Sequence, residues 1–217
     1  MDTIKLTPRL EAVANTALGG RAYADIGTDH GYVPVWLVQQ GAESVTAADL
    51  RPGPLQSARE SAGQYGVGER IRFVLADGLD YPCADTADTV ILAGMGGETM
   101  ELILSRAAWT RRAHLVLQPQ TQIDELCRWL RESGYALRGA SLVRDGGRLY
   151  AVLSVRGDGQ GFDWAEDALF AAGDPLLPDW LRHRRTVVRA AMEGKARSRE
   201  MRSDREERQL LERLETY

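Results

Sequence analysis

The residues best suited to bind a nucleotide lie early in the chain, in the run Asp25-Ile26-Gly27-Thr28-Asp29-His30-Gly31-Tyr32. A short apolar segment leads into the acid, glycines follow, and an apolar helical pattern begins at Val33. This order predicts a strand, a tight turn and the start of a helix. Such a turn directs backbone N–H groups and the positive end of a helix dipole towards a ligand. We therefore expect Asp25 and Gly27 to bind a cofactor.

Three further candidate features follow, each at the end of a predicted strand. Asp49, with Leu50 beside it, comes roughly 20 residues after the glycine turn, the spacing at which an acid receives ribose hydroxyls. Asp77-Gly78 is placed for an adenine amino group, and the loop Ala93-Gly94-Met95-Gly96-Gly97 for the reacting end of the ligand. Each feature has a structural alternative, such as a helix cap, a strand-end turn or a satisfied histidine. All four at matched positions favour a nucleoside cofactor site.

Strands alternate with helices over most of the chain, which predicts a parallel sheet covered on both faces. Asp145-Gly146-Gly147 then predicts a hairpin turn, so the last two strands run antiparallel at or near the sheet edge. The predicted fold is α/β, a Rossmann-like class I methyltransferase sheet of seven strands with a closing antiparallel hairpin. The predicted strands cover 23–26, 44–49, 71–78, 88–93, 114–119, 135–143 and 148–155.

The C-terminal part of the chain predicts only helices. A short helix is expected over 162–170, a second over 178–192 ending before Gly194, and a charged third over 196–217. The last two are expected to pair as a coiled-coil-like αα-hairpin. We therefore divide the chain into a class I methyltransferase domain, residues 1–156, and a C-terminal helical domain, residues 162–217.

Charge is unevenly distributed between these two parts. The formal net charge is -4, yet residues 176–217 hold 11 Lys and Arg against 8 Asp and Glu. Such a basic tail predicts either a polyanion-binding appendage or a solvated helical face with mixed ion pairs, and charge alone favours the second. Cys83 and Cys127 are far apart and outside any metal-binding motif, so we expect a reducing compartment and no metal. No signal peptide or membrane-length apolar run is present, which favours a cytoplasmic protein without a membrane partner.

Three motifs resemble the bacterial tRNA (adenine-22-N1)-methyltransferase family. They are the run 25–34 with its Asp-His pair, the Gly-Met-Gly-Gly sequence that begins at Gly94, and Leu117-Gln118-Pro119. The resemblance extends from about residue 6 to residue 155, and the helical tail fits the family's C-terminal coiled coil. Small departures occur at Thr28, Gly31 and Gln120, where that family more often has Ser, Ala and Asn.

The resemblance implies S-adenosyl-L-methionine as the methyl donor and N1 of an adenine in the tRNA D-arm as the acceptor. It places Asp29, His30, Gly94 and Met95 at the reacting centre. Asp29 would stabilise the positive charge of the product or, in a slightly favoured role, bind the methionine amino group. The expected cofactor-binding residues are Asp25, Gly27, Asp29, His30, Asp49, Leu50, Asp77, Gly78, Ala93 and Gly94.

The tRNA is expected to contact Gln118 and Pro119 in the first domain and basic residues of the tail, namely Arg182, Arg184, Arg185, Arg189, Lys195, Arg197 and Arg199. For Arg9 a surface or helix-pairing role is favoured over one facing the cofactor. Truncation after Val155 is expected to spare cofactor binding and to abolish tRNA methylation. Two alternatives remain: a small-molecule methyltransferase and a non-catalytic module that binds the cofactor or RNA. A monomer is favoured.

Overall fold

The structure is a computed structural model of the 217-residue chain. It describes residues 2–197 and 204–217, and side chains are described outside 194–203. Lys195 and Arg197 lie in the described backbone without described side chains, whereas Arg199 lies outside the described residues altogether. Nothing is therefore added to the tRNA-binding prediction for these three positions.

A seven-stranded sheet forms the centre of the molecule, in the order β3-β2-β1-β4-β5-β7-β6. The first five strands are parallel, and the last two form an antiparallel hairpin with β6 at the edge and β7 beside β5. This confirms the predicted fold class. The strands are β1 Ala22–Ile26, β2 Ser44–Asp49, β3 Ile71–Leu75, β4 Thr89–Met95, β5 His114–Pro119, β6 Ala136–Asp145 and β7 Arg148–Arg156.

Eight α-helices surround the sheet within the described residues. They are α1 Pro8–Ala17, α2 Tyr32–Gln39, α3 Pro52–Gln64, α4 Gly97–Ser105, α5 Ile123–Glu132, α6 Ala165–Ala171, α7 Leu177–Arg197 and α8 Arg205–Leu214. The chain runs outwards from β1 to β3 and then crosses back to β4, which lies next to β1. Open α/β sheets bind their ligands at such a switch point, beyond the carboxyl ends of the strands.

Two apolar layers cover the two faces of the sheet. Helices α1 and α2 pack on one face through residues such as Val13 and Leu37, against Ile91 of β4 and Val116 of β5. Helices α4 and α5 pack on the other face, where Leu92 and its neighbours lie. Because both faces are covered, the central strands are mainly apolar, as expected for a parallel sheet.

The C-terminal helices extend the second layer instead of standing apart from it. Leu169 of α6, Trp180 and Val188 of α7 and Leu214 of α8 belong to the same buried cluster as the sheet residues Leu137 and Leu153. The division into residues 1–156 and 162–217 stays a prediction, but the two parts share one apolar core. Truncation after residue 155 would therefore uncover that core, which makes it a poor test of tRNA binding.

Several predicted element boundaries were wrong. The 162–170 helix begins only at Ala165, because Phe162 instead pairs with Leu137, its N–H donating to the Leu137 carbonyl at 2.8 Å. The second tail helix does not end before Gly194 but continues to Arg197, since a glycine within a helix costs only about 1 kcal/mol. The third strand ends at Leu75, before Asp77. The predicted pairing of the two tail helices is confirmed, because α7 and α8 pack on each other.

Over residues 2–197 and 204–217, no helix is both long enough and apolar enough to cross a membrane.

Candidate cofactor and substrate cavity

One large cavity of about 850 Å³ opens at the carboxyl edge of the parallel strands. Its lining comes from the ends of β1, β2 and β4, from the start of α1 and from the tip of the β6–β7 hairpin. The volume falls in the range typical of small-molecule and cofactor sites. The topological switch point between β1 and β4 lies at its centre, as the strand order requires.

Two buried acids lie on one side of this cavity. Asp25 follows Ala24 in β1, and Asp49 ends the neighbouring strand β2; their exposed fractions are 6% and 7%. Burial raises the pKa of Asp25 to about 6, and the nearby charge of Asp49 adds to this shift while an interaction with Thr28 opposes it. The Arg51 backbone N–H donates to the Asp49 carboxylate at 2.8 Å, which orients that side chain.

The turn after β1 brings its backbone close to the cavity. Gly27 has φ of +76°, and a side chain there would approach the Met95 methyl group to 3.1 Å, so glycine is required. Its N–H donates to the Ala48 carbonyl at 2.8 Å, which holds the turn against β2. Gly31 has φ of +68° at the N-terminus of α2. The predicted strand, tight turn and helix start are thus confirmed.

Asp29 and His30 both line the cavity and both remain exposed. Asp29 has a left-handed backbone, φ +46°, and its carboxylate lies 3.9 Å from His30 Nε2. The imidazole stacks on the Tyr32 ring, with 5.4 Å between centroids and 15° between planes. An accessible carboxylate is therefore fixed beside an aromatic pair at the cavity surface.

The end of β4 forms the cavity floor. Ala93, Gly94 and Met95 all line it, and Gly94 has φ of +79°. The Met95 carbonyl accepts from the Gln120 N–H at 2.9 Å, which ties this loop to the segment after β5. The loop carries few side chains, so a ligand can approach its backbone.

Three of the predicted cofactor-binding residues do not line this cavity. Leu50 is 66% exposed beside it. Asp77 pairs with Arg106 at 3.0 Å and lines a separate cavity of about 260 Å³. Gly78 lines neither cavity. The adenine-binding role of Asp77-Gly78 and the cofactor-binding role of Leu50 stay predictions that this geometry does not support directly.

The predicted tRNA-binding residues are also away from the cavity. Gln118 is fully buried, and its side-chain oxygen accepts from Arg9 at 2.8 Å. Pro119 is buried as well. Gln118 is therefore placed to hold Arg9 instead of contacting RNA itself.

The tail arginines make contacts within the chain. Arg182 pairs with Asp179 at 2.7 Å, Arg189 pairs with Glu215 at 3.2 Å, and Arg185 donates to the Leu214 carbonyl at 3.1 Å. Arg184 is mostly buried against Asp124 and Glu166. Arg184 thus belongs to the protein interior. Its two carboxylate partners compensate the cost of burying its charge.

For Arg9, a surface or helix-pairing role was favoured; the structure places this residue partly buried in the lining of the cavity. Sequence reasoning also missed lining residues that come from the β6–β7 hairpin, from loops and from the first turns of α1 and α2. A signal for the hairpin existed, since a strand antiparallel to β5 must start at the carboxyl edge. No local pattern marked the others. The missed residues are Thr7, Leu10, Val33, Arg51, Gln120, Asp145, Gly146, Arg148 and Tyr150.

Comparison with known proteins identifies the family to which this fold belongs. A family model described as a methyltransferase domain matches residues 6–153. The tRNA (adenine(22)-N(1))-methyltransferase of Bacillus subtilis is 30% identical over 191 residues, which cover 87% of this chain and 79% of that protein. A Mycoplasma pneumoniae protein assigned as a tRNA methyltransferase is 33% identical over 153 residues, or 68% of this chain and 70% of that protein.

Solved structures show the same relationship. Streptococcus pneumoniae Sp1610, assigned as a tRNA (m1A22) methyltransferase, superposes with a TM-score of 0.82 at 27% identity, covering 98% of this chain and 99% of that one. Strand order, cavity and domain match define a class I methyltransferase. Together with the Bacillus relative, they show that the chain belongs to the tRNA (adenine(22)-N(1))-methyltransferase family.

Proposed function

We propose that this protein transfers a methyl group from S-adenosyl-L-methionine to N1 of adenine 22 in tRNA. The observation that carries the proposal is the convergence of Asp25, Asp49 and the Gly94–Met95 loop on one cavity at the switch point of the sheet. The Bacillus relative bears the name of this activity. A tRNA substrate would place the protein in the cytoplasm, and whether it acts as a monomer stays a prediction.

The residues present fit S-adenosylmethionine. Asp49, buried and oriented by a backbone N–H, is suited to accept from ribose hydroxyls. Gly27 leaves room where a side chain would approach Met95. Asp25 and Asp29 place carboxylates where a ligand carrying an ammonium and a sulfonium group is favoured. The Streptococcus pneumoniae relative has also been solved in complex with S-adenosyl-L-methionine.

When bound, S-adenosylmethionine supplies an electrophilic methyl group on a positively charged sulfur. The adenine N1 lone pair is already a nucleophile, so the protein does not need a strong base before the transfer. Its tasks are to align the two reactants and to exclude water. The methylated ring gains positive charge, and the exposed Asp29 carboxylate at the cavity surface is suited to stabilise that charge.

N1 lies on the Watson–Crick edge of adenine, so the base must leave its stack and pairing before it can enter the cavity. The protein is therefore expected to select its substrate mainly by RNA shape and phosphate contacts.

The decisive assay measures transfer of tritiated methyl groups to unmodified tRNA, followed by primer extension to locate the modified base. We expect a stop one nucleotide 3′ of position 22, and no transfer to a transcript in which that adenine is replaced by guanine. Methylation of a small molecule without methylation of tRNA would support the small-molecule alternative. Cofactor binding without any transfer would support a non-catalytic module.

Asp29→Ala tests the role of the carboxylate. We expect turnover at saturating substrates to fall by about 10²-fold. The thermal midpoint should fall only slightly, because the side chain is exposed and the main cost is that of alanine in a left-handed backbone. Asp29→Asn, which tolerates the left-handed backbone, separates the charge from the conformation. Near-normal turnover of the alanine variant would contradict this assignment.

A further inference from the structure

Charged residues are segregated along the cavity. The acids Asp25, Asp29 and Asp49 lie towards β1 and β2. On the opposite side, towards β5 and β7, lie Arg9 and Arg148 together with Gln120 and Tyr150. Each side has one exception: Arg51 lies 3.8 Å from Asp49, and Asp145 accepts from the Arg9 backbone N–H at 3.2 Å. A cationic cofactor suits the acidic side, which leaves the basic side for an anionic partner.

Arg9 is the central residue of the basic side. Its guanidinium donates to the Gln118 side-chain oxygen at 2.8 Å and lies over the Tyr150 ring, 5.6 Å from the ring centroid. The Gln118 amide nitrogen in turn donates to the Pro119 carbonyl at 3.1 Å, which fixes the oxygen towards Arg9. Within the described part of the chain, this partly buried guanidinium makes no ion pair with a carboxylate side chain. It therefore remains available to an anion.

The basic side also reaches the reacting centre. A side chain at Gly94 would come within 3.5 Å of the Arg9 guanidinium and 3.6 Å of the Gln120 amide. Arg9 and Gln120 thus border the loop beside which methyl transfer is proposed. Arg148 begins β7 directly after the two-residue turn at Gly146, so it lies at the exposed mouth of the cavity.

We propose that Arg9, Gln120, Arg148 and Tyr150 form the subsite for the extruded adenine nucleotide of the RNA. Tyr150 supplies an aromatic face for the base, while Arg9 and Arg148 bind phosphates on either side of it. Gln118 is a positioning residue that holds Arg9. This inference rests on the proposed function, because it assigns the acceptor side of the same cavity. Stacking on an aromatic side chain is the usual means of holding an unpaired base.

Two pairs of variants test the subsite. Tyr150→Ala is expected to raise the KM for tRNA at least about tenfold, and Tyr150→Phe to recover most of that loss because it retains the ring. Arg148→Ala is expected to lower the slope of log Kd against log salt concentration by about 0.7 to 0.9, the contribution of one phosphate contact. Arg156→Ala is the matched control, since Arg156 is exposed at the opposite end of the same strand.

For all variants, the affinity for S-adenosylhomocysteine and the thermal midpoint are measured alongside tRNA binding. If Tyr150→Ala is unstable, Tyr150→Leu retains the bulk without the aromatic face and replaces it. The subsite assignment is overturned if the wild-type enzyme methylates tRNA while the Tyr150 and Arg148 variants bind and methylate it equally well. A wild-type protein that binds no tRNA would overturn the proposed function and the subsite together, so the two failures are distinguishable.

Discussion

Asp25→Asn gives the sharpest test of how the cavity is built. Burial raises the pKa of the Asp25 carboxyl group from 3.8 to about 6. In the unfolded chain the group is solvated and has its ordinary pKa, so the folded state binds the proton more tightly. The difference of about 2 pKa units corresponds to about 3 kcal/mol.

The sign of the effect follows from proton binding. Between about pH 4 and pH 6 the folded protein holds more protons than the unfolded chain, so the free energy of unfolding falls as pH rises through this window. Above pH 6 the loss of about 3 kcal/mol is complete. An asparagine cannot ionise, so this loss is absent in the variant.

Thermal unfolding from pH 4 to pH 8, without cofactor, measures the difference between variant and wild type. That difference should grow by up to about 3 kcal/mol, or roughly 6–12 °C in Tm, as pH rises. Any constant cost of burying the amide cancels in this comparison. The matched comparison is Asp29→Asn in the same loop, where the carboxylate is 70% exposed instead of buried. A difference independent of pH would refute the reasoning.

S-adenosylmethionine provides a second readout on the same variant. If Asp25 binds the cofactor, saturating ligand should raise the Tm of the wild type more than that of Asp25→Asn. Equal shifts would argue that Asp25 shapes the cavity without contacting the ligand.

Two further substitutions test the packing of the C-terminal helices and of the turn before α2. Arg213→Ala breaks the buried ionic cluster that joins α8 to α5 and α6. In urea titrations it should lower the free energy of unfolding by about 3 kcal/mol or more. Arg189→Ala, in an exposed pair, should lower it by less than about 1 kcal/mol, and equal losses would contradict the assignment. Gly31→Ala combines φ of +68° with a new contact 2.8 Å from the Ala58 side chain, so it should cost clearly more than Gly41→Ala, where φ is +93° and no atom lies within 4 Å.

The ionic cluster agrees with the mixed ion pairs that charge alone favoured for the basic tail. Glu166 is 1% exposed, and although burial alone would raise its pKa, Arg184 and Arg213 hold that pKa below its ordinary value. Arg213 also lies over the Trp164 ring, 4.2 Å from its centroid. Part of the positive charge counted in the tail is thus neutralised inside the protein. The exposed arginines of the tail remain the residues predicted to contact tRNA.

The alternation of strands and helices, the glycine turn and the acids at the strand ends were all predictable from sequence. These features depend on local backbone preferences and on periodicity, which operate over a few residues. The turn at Gly27, for example, requires a positive φ, a local property that the glycine itself indicates. The family motifs lie in these segments. Parallel strands bring their carboxyl ends to one edge of the sheet, so the motifs meet there.

Only the tertiary structure decided which distant side chains meet at that edge. Arg9 contacts Gln118 across 109 residues of sequence, and Arg213 meets Asp124 across 89. Pairings at such separations depend on strand order, helix packing and the direction of each side chain, none of which leaves a local pattern. The sequence therefore determined the acidic side of the cavity from its own motifs. The basic side, and the neutralisation of part of the tail, followed only from folding.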